Sequence, residues 1–298
     1  GGAYIVWIDK RDSAGKTYVQ RINQVANSVW DANGFSISTS TQQDSADVAS
    51  DGYGNALVLW KTLGSTIQVQ NIKPDKSVLW KTSGYLITTS ALETGQPRFV
   101  KDGDADTSVP NGGAFIVWAD KRAGGGNSDI YCQKIRPDGK EGIGWTPGGF
   151  PVCTAQGEQT LPQIINDESL GAIMVWQDGR SFLNKGFDIY AQRAHYTEKI
   201  KWAADGVGIC LDSHHQYAPK ISVAGSGAAI MAWVDTRAGK DGDIYAQKVD
   251  NAGVLQWAAD VAVCAATSVQ DNIQMLSDGS GGAVVAWQDK RSGLGTYD

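Results

Sequence analysis

Short apolar-rich stretches follow one another along the whole chain, each about four to eight residues long and bounded by Gly, Asp or Asn, which reads as a succession of β-strands. Ile244–Val249 alternates between apolar and polar positions, as a strand with unlike faces does. Ala283–Trp287 is apolar throughout, and Leu161–Ile165 and Ala218–Ser222 form shorter runs. No window carries apolar residues at helical spacing over three turns. Four such stretches recur in a fixed order. A short strand such as Leu161–Ile165 leads through a glycine-rich turn (Asp278–Gly282) into the apolar run. A polar loop opening with Asp289–Arg291 then leads into a strand of the type Asp243–Val249. A turn, Asp250–Gly253, precedes a last strand expected from Trp257 to about Cys264. The pairs Asp51-Gly52, Asp138-Gly139 and Asp278-Gly279 supply the positive φ that tight turns between antiparallel strands need. A phosphate-cradling role for Gly279–Gly282 would need a helix after it, and a strand follows instead.

The eleven tryptophans measure the repeat. Trp7, Trp60, Trp118, Trp176, Trp233 and Trp287 are spaced 53–58 residues apart, and Trp30, Trp80, Trp145, Trp202 and Trp257 fall between them. Four antiparallel strands in each of several units of about 55 residues predict an all-β fold, a β-propeller of four-stranded blades. The units run at about 1–38, 39–88, 89–153, 154–210, 211–264 and 265–298, in a single propeller domain. About six blades are expected, with the outer two incomplete. A ring of five would leave Ala283–Trp287 surplus, and a ring of seven with one blade absent is the other alternative. Gly1 falls inside a first turn and Asp298 just inside a third strand, so the chain is expected to belong to a longer protein.

The repeat Gly-Gly-Ala-x-x-x-Trp-x-Asp-x-Arg, then Asp-Ile-Tyr-Ala-Gln-Lys, then a glycine turn and Trp, resembles repeats of large secreted or surface-attached bacterial proteins, many of them similar to cargo of the type IX secretion pathway. The resemblance covers essentially the whole chain and implies an extracellular or cell-surface location, with no single activity attached. The turn from Asp250 to Trp257 is also similar to the Asp box of sialidase-like propellers, one residue longer. That box is a structural turn, so the likeness implies fold and not function.

A net charge of −6 without a basic cluster argues against a nucleic-acid partner. No apolar run approaches 18 residues, so no membrane insertion is expected. Cys153, Cys210 and Cys264 hold one repeat position, where other units have Ser38 or Thr88, and Cys132 stands where other units have Ala191 or Ala246. Equivalent points on different blades lie too far apart for a disulfide, so these cysteines are expected as small buried hydrophobes; a Cys132–Cys153 bridge within one blade is the less favoured alternative, because the turn near Asp138 pairs Cys132 closer to Trp145.

Candidate chemistry divides into repeated and unrepeated residues. The loop pairs Asp9/Arg11, Asp120/Arg122, Asp178/Arg180, Asp235/Arg237 and Asp289/Arg291 could ring one channel mouth and hold carboxylated or polar glycans through the guanidinium forks. Recurrence favours the alternative, in which each Arg pairs with its own loop Asp or with the acid opening the next strand. Gln159, Gln216 and Gln270 are expected to satisfy backbone groups in the inter-blade crossover, or else to line a binding face. Asp102, Asp104 and Asp106 alternate as at the start of a Ca²⁺ loop, but Thr107 and Gly113 replace the Gly and Glu of an EF-hand. A structural Ca²⁺ is the one cofactor that these residues suggest. His214 and His215 lack further ligands at zinc spacing. Motifs of serine and zinc hydrolases are absent. Paired acids for glycoside cleavage leave no local motif, and Glu158 and Glu168 stand out among the few glutamates.

The expectation drawn from these features is a non-catalytic extracellular binding or adhesion module, with a surface glycan, a protein or the rest of its own longer chain as partner. The alternatives are a glycan-active hydrolase or lyase with carboxylates at the channel mouth, and an architectural spacer or surface-assembly subunit.

Overall fold

The structure is a computed structural model that describes residues 2–11, 15–38, 42–62, 66–89, 96–103, 112–122, 124, 126–239 and 242–291. It is all-β apart from one helical turn among those residues. The strands are β1 (Gly2–Asp9), β2 (Lys16–Asn23), β3 (Phe35–Ser36), β4 (Gln43–Ser50), β5 (Ala56–Thr62), β6 (Thr66–Ile72), β7 (Tyr85–Thr88), β8 (Arg98–Lys101), β9 (Ala114–Asp120), β10 (Asp129–Ile135), β11 (Phe150–Cys153), β12 (Gln159–Asn166) and β13 (Gly171–Asp178). After the helical turn α1 (Phe182–Lys185) come β14 (Asp188–His195), β15 (Val207–Cys210), β16 (Gln216–Val223), β17 (Ala229–Asp235), β18 (Asp243–Val249), β19 (Val261–Cys264), β20 (Gln270–Ser277) and β21 (Ala283–Asp289). Strands β4 to β19 form four four-stranded sheets, each meandering in chain order. A three-stranded sheet, β1-β2-β3, precedes them and a two-stranded one, β20-β21, follows. Complete blades between incomplete ones are what the sequence pattern predicts for this β-propeller.

Two compact units divide the chain, one of Gly1–Arg122 with Cys132–Phe150 and the other of Ala123–Tyr131 with Pro151–Asp298. In the first unit, Val19, Trp30, Val58, Trp60 and Ile72 form a core to which Tyr4, Val6 and Val48 add. In the second, Ile173, Val175, Ile189, Trp202, Met231 and Trp233 form one core, and Ile230, Val234, Ile244 and Ile273 another. The apolar second strands are the centre of each sheet: β9, β13 and β17 are buried at every position.

Two strand boundaries differ from the sequence-based expectation. The first strand of a blade begins two residues earlier, at Gln159 and Gln216, because a bulge with positive φ at Leu161 (52°) and Ala218 (51°) breaks its alternation. The last strand begins at Val261 rather than Trp257. Trp257 sits in the preceding turn, where its backbone N–H donates to Gln247 Oε1 at 3.1 Å.

That glutamine is part of a repeated brace. Oε1 of Gln20, Gln70 and Gln192 likewise accepts the N–H of Trp30, Trp80 and Trp202, and each amide nitrogen donates to a carbonyl in the same turn. The indoles then reach onward: Trp30 Nε1 donates to Pro74 O at 2.8 Å and Trp202 Nε1 to Asn251 O at 3.0 Å, each tying one blade's turn to the next blade's. Gly206 shows how tightly the other tryptophan series is seated. Its φ is +89°, and a Cβ there would stand 2.7 Å from Trp176 Cη2. Several turns between first and second strands are closed by an aspartate, as where Asp167 and Asp278 each accept two backbone N–H groups.

Candidate functional site

The Trp-x-Asp-x-Arg motif builds a clamp. Asp178 is fully buried and accepts from Trp176 Nε1 at 2.9 Å, from Arg180 Nε at 2.9 Å and from Arg180 Nη2 at 2.7 Å. Arg180 Nη2 also donates to Asp205 O at 2.8 Å and to Cys153 Sγ at 3.4 Å, and its guanidinium lies 3.7 Å from the Tyr190 ring centroid. Since Cys153 closes β11, the clamp ties one blade's last strand to the next blade's second. Asp235 and Arg237 repeat it, with Trp233, Cys210 and Asp260. Asp120 and Arg122 repeat it with Trp118, and there Thr88 Oγ1 takes the place of the thiol at 3.0 Å. Asp120, Asp178 and Asp235 are 0% exposed, so these carboxylates face inward. Of the two roles open to the motif on sequence, the clamp matches the one in which Arg pairs with its own loop Asp.

The repeat cysteines are therefore more than buried hydrophobes: a thiol or hydroxyl at that position accepts from the next blade's arginine. All four cysteines are free. Burial pushes the Cys153 thiol up to about 12 and raises Cys132 and Cys210 as well, so these three stay protonated at neutral pH. Gln159 and Gln216 are buried, with Nε2 donating to Gly157 O at 3.0 Å and to His214 O at 2.5 Å, which braces the loop entering each first strand.

Asp102 proves to be a repeated residue. It accepts the Gly113 N–H at 2.9 Å, as Asp167 and Asp278 do in their turns, and it pairs with the buried Lys134. Asp104 and Asp106 lie outside the described residues. His214 is half exposed and pairs with Asp212 at 2.6 Å.

Glu158 and Glu168 do not converge. They flank β12 at opposite ends, and eight strand residues span roughly 26 Å. Glycosidic pairs stand about 5–10 Å apart. Glu158 belongs instead to an open groove of 560 Å³ in the second unit, lined among others by Asn127, Gln156, Arg180, Phe182 and Phe187. It is the single carboxylate among the described lining residues. Ser128 Oγ donates to Glu158 Oε1 at 3.2 Å, and the Glu158 carbonyl accepts from Gly179 N at 2.6 Å. The loop carrying Arg180 is thereby held against the entry to β12.

That loop is where the fourth blade departs from its neighbour. Nine residues lie between Asp178 and Asp188, against seven between Asp235 and Asp243, and the longer loop contains α1. Its anchor is Lys185, whose Nζ reaches Asp188 at 2.8 Å and Leu211 O at 2.9 Å. Burial raises the Asp188 pKa against the opposing pull of Lys185. Four rings follow in succession: Phe182 to Phe187 at 4.9 Å, Phe187 to His215 at 5.6 Å, and His215 stacked on Tyr217 at 4.9 Å and 16°. His215 Nδ1 accepts the Phe187 N–H at 3.0 Å, so the proton of the neutral ring is on Nε2. Burial lowers the His215 pKa. Sequence reasoning treated His215 as incidental and missed both phenylalanines. The available signal was an aromatic pair in a loop longer than its counterpart.

No family model matches the sequence, and no curated protein does. The resemblance to repeats of secreted bacterial proteins gains no support from either comparison. Solved structures do match. The α-L-arabinanase of Penicillium chrysogenum complexed with arabinobiose superposes with a TM-score of 0.52 at 11% identity, over 86% of this chain and 80% of that one. The GH93 α-L-arabinofuranosidase of Fusarium graminearum with arabinobiose gives 0.52 at 12% identity, over 82% and 74%. Its complex with an iminosugar inhibitor gives 0.51. The fold is that of a β-propeller. The sequence-based preference for a non-catalytic binding or adhesion module is corrected by these matches: the propellers on which the chain superposes are glycosidases. The preference arose because the repeat exposes scaffold residues to a sequence reader, whereas catalytic acids carry no local motif.

Proposed function

We propose that this propeller is a glycan-active glycoside hydrolase, with the groove beside β12 as its substrate cleft and Glu158 as general acid or base. The supporting observation is the superposition of more than four-fifths of the chain on arabinan-directed glycosidases, together with a carboxylate in a groove of their substrate's scale. Asn127 and Gln156 supply hydrogen-bonding side chains for sugar hydroxyls. The second carboxylate that hydrolysis requires comes from beyond the described lining residues. Such chemistry needs no organic cofactor. An extracellular location fits a polysaccharide substrate.

The test is reducing-end release from a panel of arabinan, arabinoxylan, galactan and xylan by the purified protein. Release from arabinose-containing polymers is expected. A panel without any release over a range of pH and protein concentration contradicts the proposal.

A further inference from the structure

The ring succession on the α1 side of the groove has no counterpart in the clamps and braces of the fold. Phe182 is 52% exposed and Leu183 98% exposed, on a helical turn with no equivalent among the described residues of the neighbouring blade's loop. What sets these two apart from the other exposed apolar side chains is that they adjoin the Phe187 ring in a groove rimmed by polar side chains, and a contiguous apolar patch with a polar rim is a mark of ligand-binding grooves. The surface is amphipathic at close quarters. Phe182, Leu183 and Phe187 share the groove with the amides of Asn127 and Gln156 and with Glu158. A sugar ring has the same division, with C–H groups on its faces and hydroxyls around its rim. The platform is also held rigid: Phe187 is fixed through its N–H to His215, His215 stacks on Tyr217, and Lys185 pins the end of α1. A rigid aromatic face loses little entropy on binding.

We propose that Phe182, Leu183 and Phe187 form a sugar-stacking subsite that takes the apolar face of a neutral glycan residue and lays the polymer along the groove toward Glu158. The proposal rests on the glycan-directed reading above and extends it to a particular set of side chains. A neutral ring is specified because the apolar platform offers no cation: the Arg180 guanidinium is engaged by Asp178 and Asp205, and Lys185 by Asp188.

The experiment is affinity gel electrophoresis with debranched arabinan as the probe, run in an E158Q background so that binding is read without turnover. The parent is expected to be retarded. Phe182→Ala and Leu183→Ser, both at exposed positions where folding is insulated from the change, should each weaken binding several-fold, and the double variant should weaken it at least tenfold. Circular dichroism checks that the variants are folded. Retardation equal to the parent's in both variants overturns the subsite, as does a parent that is not retarded at all. Self-association on size exclusion that the variants abolish, without glycan retardation, overturns it in favour of a protein contact. Retardation that depends on Phe182, in a protein without hydrolysis, upholds the subsite while contradicting the hydrolase, so the two failures are distinguishable.

Discussion

Single side chains in this protein act mainly through pairs, and the clamp gives the sharpest tests. Asp235→Asn keeps an acceptor for Trp233 and leaves Asp260 as the one carboxylate on Arg237, a loss of about 1–3 kcal/mol for the charged hydrogen bond removed. Denaturant unfolding should show it as a lowered midpoint with an unchanged slope. Position 153 asks for an acceptor more than for a thiol, since Thr88 serves Arg122 in the same way. Cys153→Thr should therefore stay within about 1 kcal/mol of the parent while Cys153→Val loses about 1–2 kcal/mol. Equal losses in the two variants would reduce the position to packing. His215 supplies a pH test. Its folded-state pKa lies below the ordinary value of about 6.5, so the unfolded chain takes up the proton first. Stability is complete above about pH 6.5 and declines as the pH falls through that region toward the folded value. Measured between pH 7.5 and 5, the wild type should lose more stability than His215→Gln. Parallel curves would mean that the ring is not held neutral.

At the scale of strands and turns, the alternation of Ile244–Val249 and the apolar run Ala283–Trp287 made the third and second strands of each blade legible from residues alone. The first and last strands were less so, for identifiable reasons. A bulge at Leu161 and Ala218 interrupts the period of two. Trp257, which looks like a strand residue, is held in a turn by the Gln247 brace. The glycine before the last strand of the fourth blade is demanded by an indole: Gly206→Ala adds a Cβ against Trp176 at a positive φ. It should lower stability by about 1–3 kcal/mol, seen as a lowered melting temperature, and no change would show that the turn relaxes freely. The groove was only half legible. Glu158 could be singled out as a rare glutamate, but the rings beside it come from a loop and from a residue 28 positions onward. Such neighbours arise from the stacking of one blade on the next, which no local window contains.

For the molecule as a whole, repetition separates scaffold from site. What recurs in most blades is the clamp, missing from the second, the Gln–Trp brace, missing from the third, and the aspartate turn, missing from the fifth. Among the unrepeated residues, Glu158 and α1 meet at one groove of the second unit, with His215 against Phe187, and the proposed cleft lies there. The most direct measurement is the turnover of arabinan by Glu158→Gln and Glu168→Gln side by side, since the two glutamates lie at opposite ends of one strand. Loss of an acid or base is worth about 10²–10⁴ in rate. The account predicts a fall of that order for Glu158→Gln and wild-type turnover for Glu168→Gln, and an active Glu158→Gln enzyme would contradict it.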